Sequence, residues 1–279
     1  MRLVDVRHLG NDRAIAAYLI DGCLIDPGPA SSVEGLLAGL GDERPERLLL
    51  THIHLDHAGA AGTLVKRWPD LEVWVHERGA PHLAAPDKLI ASAARLYGDD
   101  MDRLWGEILP VPRDRLRVLG GGQETIGPWR VAYTPGHASH HVSYLHEPSG
   151  TLFAGDVAGV RIPPEGHVLA PTPPPDIDIA AWHASLDLLA TFGAERVAVT
   201  HFGIWEDVAV QLDECRAALD RMAVKASETT ADEFAEWIRA EIEAATTPET
   251  AAVYAQAMPH ETLHPGLERA LRRVSSTPG

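Results

Sequence analysis

Between the apolar run Arg47-Leu48-Leu49-Leu50 and the small residues Ala58-Gly59-Ala60-Ala61-Gly62 the chain reads Thr51-His52-Ile53-His54-Leu55-Asp56-His57. Three imidazoles and a carboxylate within six residues narrow the range of folds more than any other feature. With this chain's own His and Asp content, H-x-H-x-D-H would arise by chance in roughly three sequences per thousand. Residues 47–50 read as a buried strand and 58–68 as a helix. The motif therefore occupies the loop at the carboxyl end of a strand, where α/β folds bind ligands. Histidines two apart on extended backbone point the same way and can chelate one ion; the Asp-His pair turns onto the first helical turn and can face a second. Small residues after it let that helix start close against the loop.

Fifteen histidines are several times what one or two catalytic residues would need, and His137, His140, His141 and His146 form a second cluster within ten residues. Neither end carries a His run, so a purification tag is not the cause. Imidazoles clustered in an acidic, cysteine-poor chain point towards metal. The net charge of −16, with three lysines among 24 basic residues, repels a phosphate backbone and argues against nucleic acid as a partner. Two cysteines, Cys23 and Cys215, make no disulfide framework. Charges in Met1-Arg2-Leu3-Val4-Asp5-Val6-Arg7 interrupt any signal-peptide core, and no run of about 18 apolar residues occurs, so a cytoplasmic protein with no membrane partner is expected. With 279 residues, 45% of them apolar, one large domain with a modest extension is expected.

Short apolar runs alternate with helical patterns through the first 200 residues, which predicts an α/β layered fold. Strands are predicted at 14–20 and 23–25 around Asp21-Gly22, and at 47–50, 72–75, 129–133, 142–146, 151–154 and 195–199. A helix opened by serine caps is predicted from Ser31 to Leu40. Leu119-Gly120-Gly121-Gly122 reads as a turn. Residues 78–112 form a helical insertion and a candidate lid. Residues 163–175 hold six prolines, which cannot enter a sheet interior and predict a stiff, extended loop. Residues 1–204 form the catalytic domain in this reading, and 205–279 a helical extension. In that extension Trp205, Val208, Leu212, Cys215, Leu219 and Met222 make one apolar stripe, and Thr230 with Glu233 makes a capping box.

Further candidate ligands follow in order, each at a strand end: Thr134-Pro135-Gly136-His137, Gly155-Asp156 and Thr200-His201. At this point the sequence resembles the metallo-β-lactamase superfamily, a four-layer αββα sandwich. The resemblance covers residues 14 to about 203, with all five usual signatures in order. It implies that Asp26, in Leu24-Ile25-Asp26-Pro27-Gly28, supports the site from behind the metals. It implies that His52, His54 and His137 bind a first metal, that Asp56, His57 and His201 bind a second, and that Asp156 bridges them. Asp56 is also the candidate catalytic residue. No cysteine occupies a ligand position, unlike the antibiotic-hydrolysing members with a Cys ligand. Thr200-His201-Phe202-Gly203 and the proline-rich stretch before it look most like a loosely characterised hydrolase branch, and depart from the glycine-flanked final His of glyoxalase-type members.

Five histidines and two aspartates are N/O donors of borderline hardness that suit two Zn²⁺; Mn²⁺ or Fe²⁺ would suit the same donors. A water shared by two cations loses its proton near neutral pH, so the expected activity is a bridging hydroxide attacking an ester, lactone or thioester carbonyl. The alternatives are a mononuclear iron persulfide dioxygenase and a phosphodiesterase of the same scaffold. A glutathione thioester is disfavoured, because residues 205–279 carry 14 acidic against seven basic side chains.

Other histidines carry weaker signals. His140 or His141 could support a ligand; His146 reads as surface; Trp182 and His183 read as a packed helix face with Ile179, Leu186 and Leu189; His167 could approach substrate. His8, His76, His82, His260 and His264 read as structural or exposed. Tyr97 in the insertion reads first as a packing residue and second as a hydrogen-bond donor to a reacting oxygen, and Leu104, Trp105 and Ile108 read first as a helix face and second as a substrate wall. The insertion's apolar positions Leu89, Ile90, Leu96, Tyr97, Met101, Leu104, Trp105 and Ile108 must pack on the body of the fold, across the mouth of the site, or against a second subunit, which leaves a homodimer open. The mouth is favoured, giving a partly apolar small molecule as the substrate expected.

Overall fold

The structure, a computed structural model, describes residues 1–275; the last four residues of the expected 205–279 extension lie outside the described residues. Two compact units form, the first from residues 1–133 and 140–144, the second from 134–139 and from 145 onward.

In the first unit a six-stranded sheet runs in chain order through β1 (Arg2–Asp5), β2 (Ala16–Ile20), β3 (Cys23–Ile25), β4 (Arg47–Leu49), β5 (Glu72–His76) and β6 (Leu116–Leu119). The first three strands pair antiparallel; β3 to β6 pair parallel. Parallel strands need crossovers, and helices α1 (Val33–Leu40), α2 (Leu55–Ala58) and α3 (Ala61–Arg67) supply two of them. β1 escaped the sequence reading because a four-residue strand with a charge at each end shows almost no alternation. The predicted serine cap of α1 does not form. Ser31 Oγ donates to Leu104 O at 2.6 Å and Ser32 Oγ pairs with His8 Nδ1 at 3.1 Å, so both hydroxyls serve tertiary contacts instead. The helix expected over 58–68 starts earlier and is divided, with Gly59 and Ala60 between α2 and α3. A Cβ at Gly59 would collide with Leu55 O and one at Gly62 with Leu109 O, so glycine is what lets these turns seat closely.

The insertion is helical as expected, with α4 (Ala80–Ala84), α5 (Asp87–Tyr97) and α6 (Met101–Trp105). The glycine turn at 120–122 leads into β7 (Gln123–Ile126), which forms a hairpin with β8 (Trp129–Tyr133). β9 spans Val142–His146.

In the second unit lie β10 (Thr151–Phe153), β11 (Val160–Arg161), β12 (Val168–Leu169), β13 (Arg196–Val199) and β14 (Gly203–Trp205). The second six-stranded sheet has the order β14-β13-β10-β9-β8-β7. Two expectations are corrected here. Val168 and Leu169, inside the proline-rich stretch, pair with β11 as a two-stranded ladder, because the prolines flank these residues and leave their N–H groups available. Trp205 belongs to β14 and not to the helical stripe; its ring stacks on the Arg161 guanidinium, 3.8 Å from the centroid. The helices are α7 (Ile179–Ala190), α8 (Val208–Glu228), α9 (Ala231–Ala245), α10 (Pro248–Ala257) and α11 (Leu263–Ser275). Asp178 caps α7, and the Thr230–Glu233 capping box forms as expected. Leu212, Cys215, Leu219 and Met222 are buried along α8. Helices α8 to α11 fold as part of the second unit, with α8 against α7 and β12. Among the described residues no helix is long and apolar enough to cross a membrane.

Gly62→Ala should lower stability by about 1–3 kcal/mol through overpacking against Leu109, whereas Gly120→Ala, with nothing within 4 Å, should leave it nearly unchanged. Thermal unfolding of the two variants side by side checks this.

Candidate metal centre

The register of β3 and β4 builds the first half of the site. Ile25 pairs with Leu49, so the residues just beyond, Asp26 and Thr51, emerge together. Asp26 takes a positive φ of 45°, which Asp tolerates better than most residues, and is fully buried. Its carboxylate accepts three hydrogen bonds: from Thr51 N at 2.8 Å, Thr51 Oγ1 at 2.7 Å and His57 Nδ1 at 2.9 Å.

Proton bookkeeping then fixes the imidazoles. The Thr51 hydroxyl spends its single proton on Asp26, so at 3.0 Å from His52 Nδ1 it accepts, and His52 is protonated on Nδ1. His57 donates its Nδ1–H to Asp26. Both rings therefore present Nε2 lone pairs, the arrangement in which a neutral imidazole binds a metal. The His52 ring centroid lies 4.5 Å from that of His54 and 4.0 Å from that of His57, and Asp56 Oδ2 is 3.8 Å from His57 Nε2. His54 and Asp56 are half-buried, whereas His52 and His57 are buried.

Residues 140–144 hold this loop from the side. Val142 N donates to Thr51 O at 2.8 Å and Tyr144 Oη donates to Leu50 O at 2.8 Å. Burial pushes the Tyr144 hydroxyl well above its usual pKa, with the Asp26 charge adding to it, so it remains a donor. Ile53 N donates to His140 Nδ1 at 3.4 Å, and the His141 ring stacks on His52 at 5.1 Å. Both histidines of this pair thus support the motif.

The second half follows the same logic. β10 and β13 are parallel with Phe153 opposite Ala198, so Asp156 and His201, each three residues further on, leave adjacent strand ends. Asp156 Oδ1 lies 3.8 Å from His201 Nε2, and Asp156 Oδ2 lies 3.5 Å from His137 Nε2. His137 donates its Nδ1–H to Pro171 O at 2.9 Å, again leaving Nε2 as the lone-pair atom. A Cβ at Gly136 would collide with the Trp182 backbone, so glycine lets the turn before His137 lie against α7. The Asp156 turn is pinned from three sides. Trp182 Nε1 and Cys215 Sγ donate to Val157 O, at 2.7 and 3.6 Å, and Gln211 Nε2 donates to Ala158 O at 2.7 Å. No sequence signal marked Thr51, Trp182 or Gln211 for these tasks, because each is read only from what its neighbours need.

The family profile of the metallo-β-lactamase superfamily matches residues 10–201, well over half of the chain. The chain belongs to that superfamily. It is 31% identical over 168 residues to the metallo-β-lactamase fold-containing protein ST1585 of Sulfurisphaera tokodaii, covering 58% of this chain and 62% of the relative. It is 32% identical over 154 residues to the probable metallo-hydrolase YqgX of Bacillus subtilis, covering 53% and 68%. A hydroxyacylglutathione hydrolase of Xanthomonas euvesicatoria is 29% identical over 158 residues, 56% of this chain and 50% of that protein. The matched part thus spans from 43% to 68% of the length of such relatives. Among solved structures, archaeal ST1585 superposes with a TM-score of 0.68 over 92% of this chain and 93% of that one, at 24% identity, which shows the fold. TTHA1623, solved in a di-iron-bound form, gives 0.56 at 28% identity over 72% and 93%. The superfamily fold expected from the motifs, with a helical C-terminal region, is the fold found.

Each half offers donors that suit borderline cations: neutral imidazoles aimed through Nε2, with carboxylates beside them. The remaining histidines sort by partner. His146 is buried, its Nδ1 at 3.0 Å from Ser149 Oγ, which corrects the expectation of a surface residue; the β9 strand end is covered despite its polar sequence. His183 pairs with Asp220 at 2.9 Å and is half-exposed, because it points away from the buried face of Trp182, Leu186 and Leu189. His167 is engaged by Glu241 at 3.1 Å and does not read as a substrate contact. His8 stacks on Trp105.

Thr51→Val keeps the shape and removes the hydroxyl that links His52 to Asp26. Metal affinity, read by chelator competition, should fall about 10–100-fold with the fold retained. Thr51→Ser should restore it; equal affinity in all three proteins would show that the link does not orient His52.

Proposed function

We propose that the protein is a dinuclear metal-dependent hydrolase acting on an ester, lactone or thioester carbonyl. In this reading His52, His54 and His137 hold one ion, Asp56, His57 and His201 the other, and Asp156 serves both. The observation that carries it is the matched tautomer locking of His52, His57 and His137, whose Nδ1 atoms are each committed to an oxygen acceptor. Structural histidines need no such uniform orientation, whereas ligands do.

Bound there, a metal pair would supply an activated water and an electrophile for the carbonyl oxygen. The chain's own groups do the rest. Asp156, buried and pinned through its turn, holds a fixed negative charge between His137 and His201. Asp56 is half-exposed, so its carboxylate is the one placed to take a proton from an attacking water and return it to the leaving oxygen or sulfur. Zinc suits the donors best; the di-iron form of TTHA1623 is the specific observation in favour of iron as a second reading. The hydroxyacylglutathione hydrolase relatives support a thioester among the substrates to be screened. A mononuclear iron oxygenase needs only two histidines and one carboxylate, and would leave Asp56 and His57 without a task. We further propose that residues 1–204 carry the activity and the helices from 205 onward serve as its extension.

Elemental analysis of zinc-reconstituted protein should give two metals per chain, with hydrolysis of at least one ester, lactone or thioester. One metal at saturation would overturn the dinuclear assignment. Asp156→Ala should lose metal and nearly all turnover while keeping its circular-dichroism spectrum; wild-type kcat with both metals bound would show that Asp156 is misassigned.

A further inference from the structure

The insertion could have packed anywhere, and where it lands is informative. Trp105 is buried with Ala93 and Leu55, and Leu89, Tyr97, Met101, Leu104 and Ile108 pack around them while staying only partly buried. Leu55 lies between His54 and Asp56, so this cluster is joined to the metal motif through Leu55.

It is also clamped in place. Ser31 Oγ donates to Leu104 O, Trp105 stacks on His8 at 5.7 Å, and Tyr97 meets Trp105 edge-on at 5.0 Å. Gly106 has a φ of 70°, and a Cβ there would come within 2.8 Å of Ser31 N, so the end of α6 is seated directly on the loop that follows Asp26-Pro27-Gly28. A fixed apolar face beside a polar, half-exposed carboxylate is the composition of a ligand site: greasy walls with a few placed polar groups. Between residues 87 and 108 the chain carries five acidic and three basic residues, so the surroundings favour a neutral arm over an anionic one.

We propose that Leu89, Tyr97, Met101 and Ile108 form the seat for an uncharged hydrocarbon arm of the substrate. This rests on the hydrolase reading for what the arm is attached to, and names the substrate class as acyl compounds with a straight apolar chain.

Calorimetric titration of zinc-loaded protein with hexanoate, octanoate and decanoate, below their micellar concentrations, tests it without turnover. Affinity should rise with length, by up to about fourfold for each methylene buried. Leu89→Ser and, separately, Ile108→Ser should flatten that dependence with metal content unchanged. Both positions are partly exposed, and thermal unfolding verifies that each variant is folded. Val118→Ser, at a 56% exposed position on β6, should leave it as in the wild type. No binding, no dependence on length, or the same slope in both seat variants would overturn the seat and make the insertion scaffold. The hydrolase reading stands or falls separately: binding that strengthens with length but no cleavage of any ester, lactone or thioester would remove that reading and keep the seat. Cleavage indifferent to chain length would do the reverse.

Discussion

Everything in the first half of the candidate centre hangs on one buried carboxylate. Asp26 is fully enclosed, and its charge would be untenable without compensation, because removing an ion from water costs several kcal/mol. Three hydrogen bonds supply that compensation, and each has a second effect. The bond from Thr51 N fixes the start of the motif loop, the bond from Thr51 Oγ1 sets the proton on His52, and the bond from His57 Nδ1 sets the proton on His57. The same contacts that satisfy the charge thus decide which nitrogen of each ring faces outward. An Asn at position 26 could keep the shape, but its amide would bring donors to a point where donors already converge.

Parallel strand ends make this arrangement available twice. Where two parallel strands stay in register, the residues just beyond them leave side by side, and a carboxylate beside a histidine costs no long loop to assemble. Asp26 with Thr51 follows β3 and β4; Asp156 with His201 follows β10 and β13. Close approach then requires small residues. Gly59 and Gly62 serve the first half and Gly136 the second, each at a point where a Cβ would strike backbone.

These two levels explain how much was legible in the sequence. The motif, its strand-end placement and the superfamily could be read because they depend on residue identity and local order. The interior strands were found because their apolar runs are continuous, whereas β1, β6, β7 and β14 were missed: short or exposed edges carry little periodicity. Serines 31 and 32 looked like helix caps because capping is a local rule, yet both hydroxyls are taken by partners 73 and 24 residues away. His146 looked exposed beside Glu147 and Pro148, and His183 looked packed beside Trp182, because burial is decided by what lies across from a side chain. The tasks of Thr51, Trp182 and Gln211 are of the same kind: a single hydrogen bond to a distant carbonyl or carboxylate leaves no trace in the sequence around its donor.

The sulfur of Cys215 lies against the Asp156 turn, and a thiolate there would place a bare charge on a carbonyl oxygen. Burial pushes its pKa up, and the negative charge of Asp156 pushes it further. The proton therefore stays on sulfur at any working pH, and the S–H points to Val157 O, where it helps pin the turn. Cys215 is thereby held, by burial first and by the Asp156 charge second, as a neutral packing and hydrogen-bonding group behind the Asp156 turn.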